Sequence, residues 1–272
     1  MLKFLKSLVK KIITISGSEI RHKFLSAYLN NDKNIKVILS VEEEVKKLQE
    51  DKILIKNKLF KKHVKSRHLV ENRYFKKYIK RDKKYNIVKV AKGYCDSNQT
   101  IKYLKSLKPD FIITFGCSII NKKFINSFKN KIINIHLGLS PYYRGSGTNF
   151  FPFLYNELQF LGSTIMIMDK GIDTGKIITQ IRPNLEEKDN IHTAGNKIIF
   201  ETIKTLKKIL VSRKKIKPTR IKTKYKTRVF KNKDFNIKSL KKAQTNLNQG
   251  IIKNYLRQKK KFEKKYKIII NY

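Results

Sequence analysis

Two cysteines, Cys95 and Cys117, are all that the 272 residues hold. So sparse a pair builds no disulfide framework and offers no zinc-ligand spacing, and it fits a reducing cytoplasm. Acidic residues are scarce too: 20 stand against 64 lysines and arginines, for a formal net charge of +44. One account of that charge is a nucleic-acid or anionic-membrane partner. The other is lysine used wherever a solvated residue will do. The lysines of residues 1–212 are scattered over most expected surface faces rather than gathered in one patch, which favours the second account. Long apolar runs are also missing. Leu2, Leu5, Leu8 and Val9 are broken by lysines, so a short amphipathic lead-in is expected there, with no signal core and no transmembrane helix. Glycine is thin at the first strand–helix junction, where Ser16-Gly17-Ser18 carries one, and this excludes a dinucleotide fingerprint.

What is present is a hydrophobic fraction of 40%, enough for a core, arranged as alternating strand and helix patterns. Strands are expected at Ile12–Ile15, Ile35–Leu39, Ile87–Val90, Phe111–Thr114, Ile132–Ile135, 162–168 and Ile177–Gln180. Helical patterns follow Ser18, span 41–84, follow the Asp96-Ser97-Asn98 cap, cover Ile119–Phe128, and run from Ile191 to Leu210. Such alternation indicates an α/β fold with a doubly wound, mostly parallel sheet. His63 and His68 read as surface residues and His192 as structural. Composition shifts near Ser212. Residues 213–272 read as a short basic extension with a strand near Tyr225–Phe235, an amphipathic helix over Leu240–Leu256 and a solvated run at Arg257–Lys267.

The chain is organised around Lys131–Gly147. Asn134 and His136 interrupt a β-branched apolar strand two residues apart, so both project from the same face. Pro141, Gly145 and Gly147 then end the strand in a loop. A second stretch, Asp169-Lys-Gly171-Ile-Asp173-Thr-Gly175, follows another strand as a tight turn that folds Asp173 back over a neighbour. An amide, an imidazole and a carboxylate then share one cleft.

These two motifs resemble the formyltransferase fold family, which includes sugar N-formyltransferases, glycinamide ribonucleotide transformylase and the catalytic domain of methionyl-tRNA formyltransferase. The resemblance covers roughly residues 10–200. It implies a Rossmann-like catalytic domain over residues 1–212, with 10-formyltetrahydrofolate as formyl donor and Asn134, His136 and Asp173 as the catalytic set. It further implies that Phe115, Gly116, Cys117, Ile119, Met168, Asp169, Gly171 and Ile172 line the donor pocket. Ser16, Gly17, Ser18, Arg21, Tyr143, Arg144 and Gly145 are the expected acceptor-binding residues. No metal is implied. One departure stands out: the family often has a histidine two residues after the threonine of the second strand, and here Met166 follows Thr164.

The expected reaction is formyl transfer to a primary amine of a small acceptor, with a nucleotide-linked amino sugar as the leading candidate. Residues 213–272 are too few for the longer tRNA-binding domain of methionyl-tRNA formyltransferases, and the Leu137-Gly138 loop differs from that of the purine enzyme. Glycinamide ribonucleotide and methionyl-tRNA are the alternative acceptors. A homodimer is allowed. The alternative of another class is a basic nucleic-acid-binding protein on a catalytically degenerate formyltransferase fold.

Overall fold

A computed structural model describes residues 9–44, 56–79, 84–212 and 216–272. Most of the expected lead-in, and Val45, Leu48, Ile53 and Leu54 of the expected second helix, lie outside the described residues. Among the described residues the central sheet has seven strands: β1 (Lys10–Gly17), β2 (Ile35–Glu44), β3 (Ile87–Ala91), β4 (Phe111–Phe115), β5 (Ile132–His136), β7 (Ser163–Ile167) and β8 (Lys176–Ile181), with β6 (Tyr143–Gly145) lying apart. Their order is β3-β2-β1-β4-β5-β7-β8. The five strands from β3 to β5 pair in parallel, whereas β5–β7 and β7–β8 are antiparallel. The order reverses between β1 and β4, and in such sheets the crevice at that switch is where ligands bind.

The strands are apolar along their length because both faces are covered. Ile12, Ile113, Ile133 and Ile135 join one core cluster, with Phe24 of α1 (Ile20–Asn30), Phe75 of α2 (Lys58–Ile79) and Ile203 and Leu206 of α6 (Ile191–Val211). Ile13, Ile15, Ile112 and Ile132 face the other way, onto Leu104 of α3 (Asn98–Ser106) and Phe124 of α4 (Lys122–Ser127). Truncating the fully buried Phe24 would cost about 3–5 kcal/mol. Ser97 caps α3 and Asn190 caps α6 in a reciprocal box with Thr193.

Three expectations are corrected here. Strand β2 continues through Val41 to Glu44 instead of giving way to a helix, because Ile15, Ser16 and Gly17 of β1 supply its parallel partners. Helix α4 is shorter than the pattern over Ile119–Phe128 and is capped by Asn121. The run Arg257–Lys267 is not a solvated end: α8 (Ile251–Lys265) extends into it, and Phe262 and Tyr266 pack on a core cluster.

That cluster joins residues 216–272 to the rest of the chain. Leu240 and Ala243 of α7 (Ile237–Asn248) and Ile251, Ile252 and Tyr255 of α8 pack with Tyr142, Phe150 and Phe153, the last of these in α5 (Phe151–Leu154). Strand β9 (Arg228–Phe230) pairs in parallel with β6. Among the described residues no helix is long and apolar enough to cross a membrane.

Candidate active site

His136 is the last residue of β5, and Asn134 stands two positions before it on the same face. The loop carrying Asp173 starts beside the opposite end of β5, where the Met168 N–H bonds the Ile132 carbonyl at 3.0 Å. It must therefore double back. Gly171 and Gly175 permit this: a Cβ at Gly175 would collide with the Ile167 carbonyl, and one at Gly171 with the Thr174 hydroxyl. Asp173 itself takes the left-handed conformation, φ 50°, which aspartate tolerates better than most residues.

The three side chains meet. The Asn134 Nδ2 donates to Asp173 Oδ1 at 3.1 Å. The His136 Nδ1 lies 3.2 Å from Asp173 Oδ2, which also accepts from the Gly145 N–H at 2.8 Å. The His136 Nε2 meets the Tyr143 carbonyl at 2.8 Å. A carbonyl only accepts, so Nε2 carries a hydrogen. Both ring nitrogens are thus engaged, and neither is free to reach a ligand in this arrangement. Asp173 Oδ1, by contrast, keeps a lone pair beyond its bond to Asn134, and Asn134 Nδ2 keeps one hydrogen.

Sequence reasoning missed several supporting residues. The Thr114 hydroxyl donates to Asn134 Oδ1 at 2.9 Å, across the β4–β5 pair. Thr164 ties down the following loop: it accepts from the Ser140 N–H at 3.0 Å and donates to the Gly138 carbonyl at 2.6 Å. A Cβ at Gly138 would lie 2.5 Å from His136 Nε2, so that glycine makes room for the ring. Glu43, fully buried, accepts from the Gly93 N–H and from the backbone and hydroxyl of Ser118, thereby pinning the loop after β4. His22 lies beneath two loops at once, since a Cβ on Gly17 would come within 2.6 Å of it and one on Gly116 within 2.5 Å. Burial, with the Arg21 and Arg67 charges adding to it, holds His22 well below the usual histidine value and keeps it neutral. The one signal that would have found these residues is a polar side chain in an otherwise apolar run, as at Thr114.

The expected donor-pocket residues occupy two loops. Gly116 takes φ +63°. Ile119 is 83% exposed and Ile172 is 47% exposed, so each loop presents an apolar side chain to solvent. Burial pushes the Cys95 thiol up to about 12, and burial likewise drives the Cys117 thiol up, so neither is poised as a nucleophile. Burial raises the Asp169 carboxyl, but bonds from Thr174, the Gly171 N–H and Arg220 outweigh it and hold the group below its usual value.

The expected acceptor residues fare unevenly. A cavity of about 190 Å³ opens beside Asp173, lined in part by Pro141, Arg144, Thr174 and Arg220. The buried Nε of Arg144 has no hydrogen-bond partner. Ser18 lines a second cavity, of about 320 Å³, with Glu19, Lys23, Glu42, Glu44 and Glu71. Arg21 is corrected: its guanidinium is committed to Glu19 and Glu71, a network that Arg67 completes. Ser16 is also corrected, being buried with its hydroxyl on the Gly17 carbonyl. The Tyr143 side chain does not face a ligand either, because its ring sits in the core and its hydroxyl bonds Glu157. His63, expected at the surface, packs against His192 with ring centroids 4.5 Å apart and planes tilted by 53°.

Comparisons with known proteins agree on one family. A family model described as formyl transferase matches residues 11–210. The methionyl-tRNA formyltransferase of Thermodesulfovibrio yellowstonii is 34% identical over 123 residues, which cover 42% of this chain and 39% of that protein. That of Staphylococcus epidermidis is 37% identical over 117 residues, covering 42% and 37%. The chain thus spans about two fifths of the length of these curated relatives. Among solved structures, a sugar N-formyltransferase from Shewanella sp FDAARGOS_354 is similar at a TM-score of 0.55 and 14% identity, over 86% of this chain and 88% of that one. Glycinamide ribonucleotide transformylase 1 from Symbiobacterium toebii is similar at 0.52 and 17%, over 77% and 89%. At these identities the likeness is one of fold.

Proposed function

Because the chain belongs to the formyl transferase family, we propose that it moves a formyl group from 10-formyltetrahydrofolate to a primary amine of a small acceptor, a nucleotide-linked amino sugar. The observation that carries this reading is the contact of Asn134, His136 and Asp173, with one amide hydrogen and one carboxylate lone pair left over. The donor supplies an activated formyl carbon when bound. The residues fit such a group: exposed Ile119 and Ile172 offer apolar cover for a flat ring, and the backbone at Gly116 is exposed.

This chain's own groups divide the work. Asn134, locked by Thr114, aims its remaining N–H at the oxygen on which negative charge develops. Asp173 Oδ1 accepts the proton of the attacking amine, directly or through one water, and would give it to the donor nitrogen as the bond from that nitrogen to the formyl carbon breaks. The Gly145 N–H holds Oδ2, with His136 Nδ1 beside it, and Asn134 holds Oδ1, so the carboxylate is gripped at both oxygens. His136 is then an orienting group, since its Nε2 is spent on Tyr143. Met166 pairs with Asn134 across β5–β7 and is 1% exposed. It fills space there, and proton transfer falls to Asp173. The cavity beside Asp173, with the unpaired Nε of Arg144, supports an acceptor that carries an anionic group.

A second acceptor reading, methionyl-tRNA, is favoured by the identity of the curated relatives. The test is a formyl-transfer assay with 10-formyltetrahydrofolate against nucleotide-linked amino sugars, glycinamide ribonucleotide and methionyl-tRNA. Transfer to the sugar nucleotide is expected, with Asn134→Ala and Asp173→Ala each lowering turnover about a hundredfold or more. Transfer to methionyl-tRNA alone would overturn the sugar assignment. Unchanged turnover in both variants would overturn the assigned roles.

A further inference from the structure

The short strand β6 has two working edges. On one, the Tyr143 carbonyl takes the His136 Nε2 bond and the Gly145 N–H holds Asp173 Oδ2, each at 2.8 Å. Residues two apart on a strand direct these groups to the same side. On the other edge, the Arg228 N–H bonds the Tyr142 carbonyl and the Ser146 N–H bonds the Phe230 carbonyl, both at 2.9 Å. Strand β6 has three residues and, among the described residues, pairs with β9 alone. The backbone that grips both His136 and Asp173 is thus itself gripped by residues 228–230.

From this arrangement we propose that Arg228 and Phe230, with Glu157, are positioning residues for the His136–Asp173 pair, acting through β6. This rests on the formyl-transfer reading of the site. Arg228 donates to the Glu157 carboxylate, which also accepts from the Tyr143 hydroxyl. Its guanidinium lies 4.7 Å from the Tyr155 ring centre and 5.6 Å from that of Tyr143. Charge, hydrogen bond and ring contact thus fix the Tyr143 side chain, while its carbonyl holds His136. Phe230 stacks on Phe151 with centroids 3.9 Å apart and planes 7° apart. Its backbone lies so close to Gly145 that a Cβ there would strike the Phe230 carbonyl, and Gly145 is at φ +88°. The β9 strand is anchored in turn, since the α7 that follows it sends Asn246 to the Phe153 and Leu154 carbonyls of α5.

The physical consequence is a loss of turnover that exceeds the loss of binding. Neither Arg228 nor Phe230 lines the cavity beside Asp173, but Arg144 in the middle of β6 does, so loosening β6 disturbs the acceptor contact as well as the carboxylate. Loosening β6 lets the carboxylate shift by a fraction of an ångström, and misplacement on the order of 1 Å costs about a hundredfold in rate. The larger change belongs to kcat, with a smaller rise in KM through Arg144.

The experiment uses the full chain with Arg228→Gln, Glu157→Gln, the double variant, and Phe230→Leu as a milder change. Formyl transfer is measured beside the imidazole nitrogen NMR shifts of His136, which report its contacts with Tyr143 and Asp173 whether or not the protein turns over. Arg228→Gln is expected to lower kcat about 10- to 100-fold, with KM within about threefold, and to move both nitrogen shifts. The double variant should be no worse than the poorer single one, because the pair acts as a unit. Unchanged shifts overturn the proposal, whatever the rate does, and an unchanged kcat with moved shifts overturns it as well. If the unsubstituted protein transfers no formyl group at all, the formyl-transfer reading fails, and moved shifts would still establish the mechanical link from Arg228 to His136.

Discussion

The Thr114 hydroxyl and the Asn134 side-chain oxygen lie 2.9 Å apart across neighbouring parallel strands, and that bond decides which way the Asn134 amide points. With Oδ1 taken by Thr114, the amide nitrogen must face Asp173. Thr114→Val keeps the shape and removes the donor. Turnover is expected to fall about tenfold, roughly 1.4 kcal/mol of transition-state stabilisation, while thermal stability changes little. An unchanged kcat in the same assay would mean that the amide is held by other means.

Gly17 and Gly116 are glycines because of His22. Gly17→Ala brings a methyl group within 2.6 Å of the buried imidazole. A loss of about 1–3 kcal/mol is expected, read as a drop in Tm. Pairing it with His22→Ala should recover part of that loss. Gly116→Ala should not be recovered as well, because φ +63° strains any side chain there.

Stability should depend on pH through His63 and His192. Burial, with Arg67 adding, lowers His63 to about 4, and burial, with His63 and Arg67 adding, lowers His192 to about 3. Both values lie below the unfolded value of about 6.5, so the unfolded chain binds more protons between these limits. The contribution is fully present above about 6.5 and is lost as pH falls toward 4. Denaturant midpoints measured from pH 7 to pH 4 should therefore decline, and His63→Leu should flatten the decline. An equally steep decline in that variant would place the effect elsewhere.

The charge of +44 gives a further test. If it reflects general lysine usage, transfer to a small acceptor should weaken only mildly between 50 and 200 mM salt. A nucleic-acid partner held by 6–10 phosphate contacts would instead lose about 10³–10⁵ in affinity over that range. A steep salt slope that vanishes when Arg257–Lys267 is neutralised would favour the nucleic-acid reading.

Local chemistry made part of this site legible. Asn134 and His136 could be paired because a strand repeats every two residues, and Asp173 could be placed because flanking glycines allow a tight return. Thr114 could not be paired with Asn134, because strand register is a tertiary fact. Val41-Glu42-Glu43-Glu44 read as the start of a helix, yet pairing with Ser16 and Gly17 drew it into the sheet, an override of local propensity by context. Arg21 looked free because Glu71 and Arg67, its network partners, lie on a distant helix. The run Arg257–Lys267 looked solvated because its charges hide Phe262 and Tyr266, which pack inward.

Strand β8 is an outer strand of the sheet, and other parts of the chain meet its free side at two points. Ile177 bridges to Thr219, and Thr179 bridges to Ile270. Gln180 adds bonds to Ile269 through both its backbone and its side chain. Both covering stretches are translated after the seven strands they protect. A nascent chain that has made β8 but not yet residues 219 and 270 carries a bare strand edge, which can recruit a like edge on another ribosome of the same polysome. Construction of the sheet and closure of its margin are therefore carried by separate stretches of the chain, and the edge of β8 left uncovered would be open to pairing with copies of itself.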